Sequence, residues 1–207
     1  MDKNCHLEFQ VQIEREFMVF ENGKKILITI LCAFFCLGMI QGESAKAKQK
    51  LGIIGQKAPE LGLDNWIGKD GKKIPPVKIS DYRGKYVYLY FFQDWCPGCQ
   101  KYGFPALKKL TAALSSDKIA FFAVQTVFEG AWTNTFKKLR KNQIEHDVFI
   151  PMAHDDGGST YERSILMSKY RSGGTPWTVL IDPSGRVIFN GFHINEEKLI
   201  HHILNLK

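Results

Sequence analysis

The feature that most limits the fold is an unbroken apolar run from Tyr86 to Phe92 (YVYLYFF), which ends four residues before Cys96. Aromatic and β-branched residues dominate this run and no polar residue alternates with them, which is typical of a strand buried on both faces. A second run, Ile119 to Val124, predicts a neighbouring strand. Apolar residues at helical spacing from Cys99 to Leu114 predict a helix between the two strands.

The remaining pattern alternates helices and strands. It predicts a helix over Ala131–Lys141, a short strand at Phe149–Ile150, a helix over Thr160–Tyr170, a strand over Trp177–Ile181, a turn at Asp182–Gly185, a strand over Arg186–Phe189, and a helix over Glu196–Leu206 capped by Asn195. Basic side chains are expected on the solvent side of the first of these helices: Lys137, Lys138, Arg140 and Lys141. Turn residues between Asp64 and Pro76 predict a small N-terminal β-hairpin. The sequence thus predicts an α/β fold, a central mixed β-sheet flanked by helices with an N-terminal β-hairpin extension.

The N-terminal region has the pattern of a targeting segment. Lys24 and Lys25 precede fifteen apolar residues, Ile26 to Ile40, and small residues follow. This length is that of the apolar part of a secretory signal and is short for a membrane-spanning helix. Residues 18–45 are therefore expected to be a signal peptide, with an uncleaved membrane anchor as the alternative.

Residues 1–17 do not fit a signal sequence because they are polar and contain several acids. A translation start at Met18 would explain them; otherwise they form a short cytoplasmic tail. Residues 46–57 are expected to be a basic linker, and residues 58–207 the folded domain.

Three of the five cysteines lie in or before the targeting segment, so only Cys96 and Cys99 remain in the domain. Two cysteines are too few for a disulfide-stapled scaffold. The net charge is +7, but the lysines are scattered and form no basic stripe, which argues against nucleic-acid binding. No cofactor is implied.

The segment from Trp95 to Cys99 (WCPGC) stands where the strand ending at Phe92 turns into a helix. Cysteines spaced in this way on a first helical turn bring two sulfurs within bridging distance. The unpaired amides at the helix start stabilise a thiolate at Cys96, and Pro97 fits a turn whose amide has no partner. A thiolate at Cys96 would attack a partner's disulfide, and Cys99 would resolve the mixed disulfide.

Two other interpretations of this motif are weaker. A zinc site needs a second ligand pair, and the histidines of the domain show no matching spacing: His146, His154, His193, His201 and His202. A purely structural disulfide across two residues would stabilise little, because the loop it closes is so short.

A second motif, Gly173 to Pro176 (GGTP), stands directly before a predicted strand. Together with the Trp95–Cys99 segment, and with Lys78 to Lys85 before the first core strand, it resembles the thioredoxin superfamily. The resemblance covers about residues 55–207 and is to the exported TlpA/ResA-like, or redoxin (AhpC/TSA-related), branch. It implies a thioredoxin-like fold in which Pro176 is cis and packs beside the cysteine pair.

The resemblance also implies a function. Cys96 and Cys99 would be catalytic, and Trp95, Pro97, Thr175 and Pro176 would contact the substrate. The protein would exchange disulfides with protein thiols or disulfides outside the cytoplasm, as a reductant supplied by a membrane electron donor. Residues 26–40 could tether it to the membrane.

The sequence departs from the family pattern near the cysteines. Pro105 follows Cys99 by six residues instead of five, with Gly103 inserted nearby, so a bulge or bend is expected in the helix. Tyr102 stands where many ResA-like proteins have an acid, and Tyr90 replaces the buried Asp of cytoplasmic thioredoxins.

The sequence therefore does not indicate which group exchanges a proton with the Cys99 thiol. Gln93 and Asp94 flank the site and are candidates for tuning it. Four other polar residues could contribute but are expected to be solvated loop residues: Glu129, His154, Asp155 and Asp156.

Two other functions compete. A thiol peroxidase of the redoxin type would carry Thr or Ser three residues before its nucleophile, where this chain has Gln93. A copper-binding thioredoxin-like chaperone would use the two cysteines with a histidine such as His154 or His193, because soft thiolates favour Cu(I).

Overall fold

The computed structural model describes residues 50–157 and 164–205. Seven strands occur in these residues: β1 (Trp66–Ile67), β2 (Lys73–Ile74), β3 (Tyr86–Phe92), β4 (Ile119–Thr126), β5 (Met152–Asp155), β6 (Trp177–Ile181) and β7 (Val187–Gly191). Four α-helices accompany them: α1 (Phe104–Ala113), α2 (Lys137–Glu145), α3 (Ile165–Lys169) and α4 (Glu196–Leu204). A short 3₁₀ helix precedes β3 at Ile79–Tyr82, and a π-helical turn at Cys99–Gly103 leads into α1.

The strands form one mixed sheet in the order β2-β1-β5-β4-β3-β6-β7. β3, β4 and β5 are parallel to one another, whereas β6 pairs antiparallel with both of its neighbours, β3 and β7. β1 and β2 form the expected N-terminal hairpin, which joins the sheet by pairing with β5. The predicted α/β class, mixed sheet and hairpin extension are confirmed.

β3 has the bounds predicted from the sequence, and all seven of its side chains are buried. Tyr88, Tyr90 and Phe92 belong to the core cluster that contains both cysteines and α1. Leu89 and Phe91 belong to the cluster on the opposite face of the sheet. The absence of polar alternation in β3 therefore reflects two separate cores, one on each face.

Two elements lie elsewhere than predicted. α2 begins at Lys137, not at Ala131, because the preceding residues form turns in which the Asn134 side chain bonds to Gln93 and to the Asp94 amide. The strand predicted at Phe149–Ile150 lies instead at Met152–Asp155, which is β5. Because β5 contains the polar residues His154 and Asp155, a search for apolar runs does not find it.

Two further elements differ from the prediction at their ends, and one predicted cap agrees with the structure. β7 runs over Val187–Gly191, one residue later than predicted at its start. α3 covers only Ile165–Lys169 of the predicted helix, whose residues 160–163 lie outside the described part of the chain. The cap of α4 is confirmed, since the Asn195 side chain accepts from the Lys198 amide at 2.8 Å.

Residues 52–57 contribute to the fold. Ile53 is buried, the amide of Gly52 donates to the Arg171 carbonyl, and the backbone of Lys57 forms an isolated antiparallel β-bridge with that of Arg186. The fold thus includes residues that were expected to form a linker. Residues 1–17, predicted to precede the true translation start or to form a short tail, and residues 18–45, predicted to be a signal peptide or a membrane anchor, lie outside the described residues. Within 50–157 and 164–205, no helix is both long and apolar enough to cross a membrane.

Candidate active site

The two cysteines lie directly after β3, where a helical turn begins at Pro97. Both are present as free thiols, Cys96 with 7% of its surface exposed and Cys99 with none. The Cys99 amide donates to Cys96 Sγ at 3.2 Å, and the Cys96 thiol donates to the Thr175 carbonyl oxygen at 3.5 Å. Cys96 is therefore the sulfur nearer to solvent, and it lies between the helix start and the loop before β6.

That loop contains a cis peptide bond between Thr175 and Pro176, as the family resemblance implied. A Cβ atom added to Gly98 would come within 3.1 Å of Pro176 Cδ, so the absence of a side chain at position 98 allows the two segments to approach closely. Pro97 is exposed, and Trp95 keeps 44% of its surface accessible. Thr175 and Pro176 thus lie against the Cys96–Gly98 segment, and Trp95 and Pro97 are the exposed residues on either side of Cys96 in the chain.

The environment of Cys99 disfavours its thiolate. Burial first, and the hydrogen bond with the Cys96 side chain second, raise the pKa of the Cys99 thiol to about 12, against a smaller opposing effect of the Gln93 backbone. Cys99 is consequently a neutral thiol at neutral pH while the pair is reduced.

The bend expected near Pro105 is a π-helical turn, Cys99 to Gly103, in which the Phe104 amide donates to the Cys99 carbonyl. The Tyr90 hydroxyl donates to the same carbonyl at 3.2 Å. Gly103 has ordinary helical dihedral angles, φ −68° and ψ −50°, but a Cβ there would lie only 2.0 Å from the Tyr90 hydroxyl oxygen. Space, not backbone conformation, therefore requires glycine at this position.

Asp94 links the cysteine loop to α2. Its carboxylate accepts from Lys138 Nζ at 2.6 Å and from Asn142 at 3.0 Å, and Lys141 Nζ lies 3.6 Å away. Burial opposes ionisation of this carboxyl, but these hydrogen bonds and positive charges prevail and hold the pKa of Asp94 below its usual value. Lys138, expected to face solvent, is half-buried and bonds to the loop before Cys96, whereas Lys141 is exposed as expected and also pairs with Glu145.

A second polar network lies beneath the loop. Gln93 Oε1 accepts from Trp95 Nε1 at 2.8 Å and from Asn134 at 3.0 Å, while Asn134 Oδ1 accepts from the Asp94 amide at 2.8 Å and from Gln125. Asn134 and Gln125 are the members of this network that the sequence pattern did not indicate; Asn134 is the one that bonds directly to the loop before Cys96. Its only sequence signal is a polar residue in a segment that looked helical.

The expectation that His154 and Asp155 are solvated loop residues is wrong. Both are buried in β5. His154 Nδ1 lies 3.3 Å from Gln125 Oε1, and burial lowers the pKa of His154. Asp155 accepts from the Ile165 and Leu166 amides and from the Ser164 hydroxyl, so it caps α3 and does not serve the cysteines.

The other candidates do not converge on the cysteines. Glu129 is exposed and Asp156 is half-buried. His193, considered for copper, lines a cavity next to Pro176. Within the described ranges, no group of three or more His, Cys, Asp and Glu side chains is placed to hold a metal ion.

The fit between Tyr90 and Gly103 predicts a strong coupling between these residues. We expect Gly103→Ala to destabilise the protein by about 1–3 kcal/mol, the usual cost of overpacking a core. Adding Tyr90→Leu, which removes the colliding ring, should recover part of that loss. Free energies of unfolding from urea titration of both single variants and the double variant measure the coupling.

Tyr88→Leu is the matched control, since Tyr88 lies on the same face of β3 and is not among the atoms closest to that Cβ position. Equal recovery by Tyr88→Leu and by Tyr90→Leu would contradict a specific contact.

The lowered pKa of Asp94 predicts a pH-dependent contribution to stability. The carboxylate stabilises the folded state above its unfolded pKa of about 3.9, and this contribution is lost as the pH falls through the folded value. Asp94→Asn should therefore cost about 1–2 kcal/mol at pH 7, and its difference from wild type should shrink below about pH 4. Urea unfolding at pH 7 and pH 3.5 measures both.

Asp147→Asn serves as the control because its ion pair with Lys108 is exposed and should contribute little. A cost for Asp94→Asn that did not change with pH would argue against the charged contacts as its source.

Comparison with known proteins agrees with this geometry. Residues 54–190 match the AhpC/TSA family. The thiol-disulfide oxidoreductase ResA of Bacillus thuringiensis is 28% identical over 163 residues, 79% of this chain and 82% of the relative. The peroxiredoxin Bcp of Bacillus subtilis is 30% identical over 142 residues, 65% of this chain and 82% of that protein.

A solved structure also resembles this chain in fold and sequence. The crystal structure of a thiol-disulfide isomerase from Corynebacterium glutamicum is similar with a TM-score of 0.62 and 28% identity, covering 72% of this chain and 98% of that one. The chain therefore belongs to the AhpC/TSA family and is a thiol–disulfide oxidoreductase of the redoxin type within the thioredoxin superfamily.

Proposed function

We propose that the protein is an exported protein-disulfide reductase in which Cys96 is the nucleophile and Cys99 the resolving cysteine. The observation that carries this assignment is the asymmetry between the two sulfurs. Cys96 Sγ accepts a hydrogen bond from the Cys99 amide, lies beside the Thr175 carbonyl and keeps 7% of the Cys96 surface exposed, whereas Cys99 is fully buried.

The reaction follows from this asymmetry. The Cys96 thiolate attacks one sulfur of a substrate disulfide, forms a mixed disulfide and releases the other substrate sulfur as a thiolate. Cys99 then loses its proton and attacks Cys96 Sγ, which releases the second substrate thiol. Two electrons pass to the substrate, and the protein is left with a Cys96–Cys99 disulfide.

The resemblance to the exported TlpA/ResA-like branch supports the reducing direction, because that branch implies a reductant supplied with electrons by a membrane donor. After each cycle the protein holds a Cys96–Cys99 disulfide, so a donor must restore the two electrons.

Substrate contact is assigned to the four residues around Cys96: Trp95, Pro97, Thr175 and Pro176. The Thr175 carbonyl is near enough to Cys96 to pair with a substrate backbone beside its cysteine. Trp95 offers an exposed aromatic surface next to the attacking sulfur. The substrates are protein disulfides or thiols, in keeping with the names of the ResA relatives.

Export is supported by the N-terminal sequence, where two lysines precede the apolar run Ile26 to Ile40. Outside the cytoplasm the disulfide would persist, so we assign regeneration to a membrane electron donor. The protein would act in an extracytoplasmic space, either released or tethered by residues 26–40.

A thiol peroxidase is the second candidate function, favoured by the similarity to the peroxiredoxin Bcp. Against it stands Gln93, whose Oε1 atom is already shared by Trp95 and Asn134, at the position where a peroxidase needs a hydroxyl. The copper-binding alternative has no comparable support.

The reduction potential of the cysteine pair tests the proposal. We expect equilibration with thiol–disulfide buffers to give a value near roughly −270 mV, that of a reductant. A value near roughly −120 mV would make the protein an oxidant, and hydrogen peroxide consumption much faster than peptide-disulfide reduction would favour the peroxidase.

Cysteine variants supply the controls, in a background with Cys5, Cys32 and Cys36 changed to serine. Cys99→Ser should accumulate a mixed disulfide with a peptide disulfide, because the nucleophile remains and the resolving thiol is gone. Cys96→Ser should accumulate far less of it, since the remaining thiol is buried. If Cys96→Ser accumulated the mixed disulfide and Cys99→Ser did not, Cys99 would be the nucleophile and Cys96 the resolving cysteine. Mass spectrometry after quenching with acid measures the amount of mixed disulfide in each variant.

Export is testable with a fused alkaline phosphatase, an enzyme that needs disulfides and is active only outside the reducing cytoplasm. The full chain should give an active fusion in bacterial cells, and deletion of residues 26–40 should abolish the activity while the fusion is still made. An equally active deletion variant would contradict export through this segment.

A further inference from the structure

A cavity of about 350 Å³ opens beside Pro176, on the side of the cysteine loop where the π-helical turn lies. Aromatic rings form much of its wall: Tyr88, Tyr90, Tyr102 and Phe192. The hydroxyls of the two buried tyrosines are already engaged, Tyr88 with Thr178 and Tyr90 with the Cys99 carbonyl. The cavity is within the size range of ligand pockets in proteins.

Glu196 is the one acidic side chain among the residues that line this cavity. It is mostly buried, with 19% of its side chain exposed, and its nearest charged neighbour is His193 Nδ1 at 3.9 Å, which pairs with it only when protonated. The next residue, Glu197, is 73% exposed and forms an ion pair with Lys109. Two adjacent acids at the start of α4 thus differ sharply in surroundings.

A carboxylate among aromatic rings provides a site for a positive charge. The ring faces attract a cation, and the carboxylate accepts charge-assisted hydrogen bonds from it. A neutral side chain would gain only apolar contact, and an acidic one would be repelled by Glu196. The long apolar stems of Lys and Arg suit such a cavity because they pack against rings while the charged end reaches an acid.

The cavity is next to the reacting sulfur. Pro176 forms part of its wall and also contacts the cysteine loop, where the Cβ position of Gly98 is 3.1 Å away. Thr175, the preceding residue, has its carbonyl 3.5 Å from Cys96 Sγ. An extended chain advances about 3.3 Å per residue, so a side chain about two to four residues from the substrate cysteine would reach the opening.

We propose that this cavity binds a Lys or Arg side chain of the protein substrate, and that Glu196 determines this specificity. The inference rests on the proposed function, since the ligand is a residue near the substrate's disulfide. The overall charge of the protein is +7, which by itself would favour acidic substrates. Preference for a basic residue at one position would therefore come from the cavity and not from the general field of the protein.

Peptide disulfides provide the test with the full-length protein. Each substrate is a symmetric disulfide of a nine-residue peptide with one central cysteine and with Lys, norleucine or Glu placed two, three or four residues away. We expect the Lys peptide to be reduced about 5–30-fold faster than the norleucine peptide at one of these positions, and the Glu peptide to be slower than both. Stopped-flow mixing gives the second-order rate constants.

Matched variants connect the preference to Glu196. Glu196→Gln should lower the Lys-to-norleucine ratio to below about twofold, whereas Glu197→Gln should keep it. Phe192→Leu, which removes one ring of the wall, should lower the ratio without changing any charge. Thermal unfolding of each variant shows that it is folded.

The outcomes separate this inference from the proposed function. Equal rates for all peptides, or a Lys preference that survives Glu196→Gln, would overturn the basic-residue pocket and leave the reductase standing. Failure to reduce any peptide would overturn both. A Lys preference in the wild type that disappears only in Glu196→Gln and Phe192→Leu would establish the pocket.

Discussion

Burial of β3 on both faces is the constraint on which the rest of this structure depends. The strand pairs with β4 on one side and β6 on the other, and its alternating side chains enter two different hydrophobic clusters. Helices must cover both clusters, which sets the layered architecture. The cysteine loop follows the end of β3 and the cis-proline loop leads into β6, so pairing of these two neighbouring strands brings Cys96 and Pro176 together.

Two departures from the family pattern prove to be parts of one arrangement. Tyr90 replaces a smaller buried side chain, and its hydroxyl extends into the space that a Cβ at position 103 would occupy. Gly103 leaves that space free, and the π-helical turn accommodates the additional residue before Pro105. The turn also presents the Cys99 carbonyl to the Tyr90 hydroxyl. Each feature looks like an isolated exception in the sequence, but the packing makes them interdependent.

The sequence predicted what local pattern and the family resemblance determine. The bounds of β3, the Asn195 cap and the cis bond before Pro176 all agree with the structure. The prediction failed where distant polar partners decide the local conformation. Asn134 holds a turn in place of a helix because it bonds to Gln93, 41 positions away, and no local pattern signals such a contact.

The buried acids show the same limit. Asp155, expected in a solvated loop, is stable inside the sheet because amides and a hydroxyl at the start of α3 satisfy its carboxylate. Asp94, expected beside the site, is held there by two lysines and an amide of α2, none of which the local sequence indicates. Burying a charge without such partners is strongly unfavourable, so the expectation of a solvated acid is sound until the partners are known.

The same framework occurs in peroxidases and in disulfide reductases, so the loop before Cys96 must decide between them. At position 93 this chain places an amide whose oxygen holds the Trp95 indole and the Asn134 side chain. In the described part of the chain, Gln93 Nε2 is buried without a hydrogen-bond partner, so the side chain is held through its oxygen alone. These bonds hold the indole of Trp95, the residue before Cys96, which keeps 44% of its surface exposed. A hydroxyl at position 93 would be too short to reach the indole in this way. Gln93 therefore departs from the peroxidase pattern and at the same time supports the exposed ring that the proposed reductase would offer to a protein substrate.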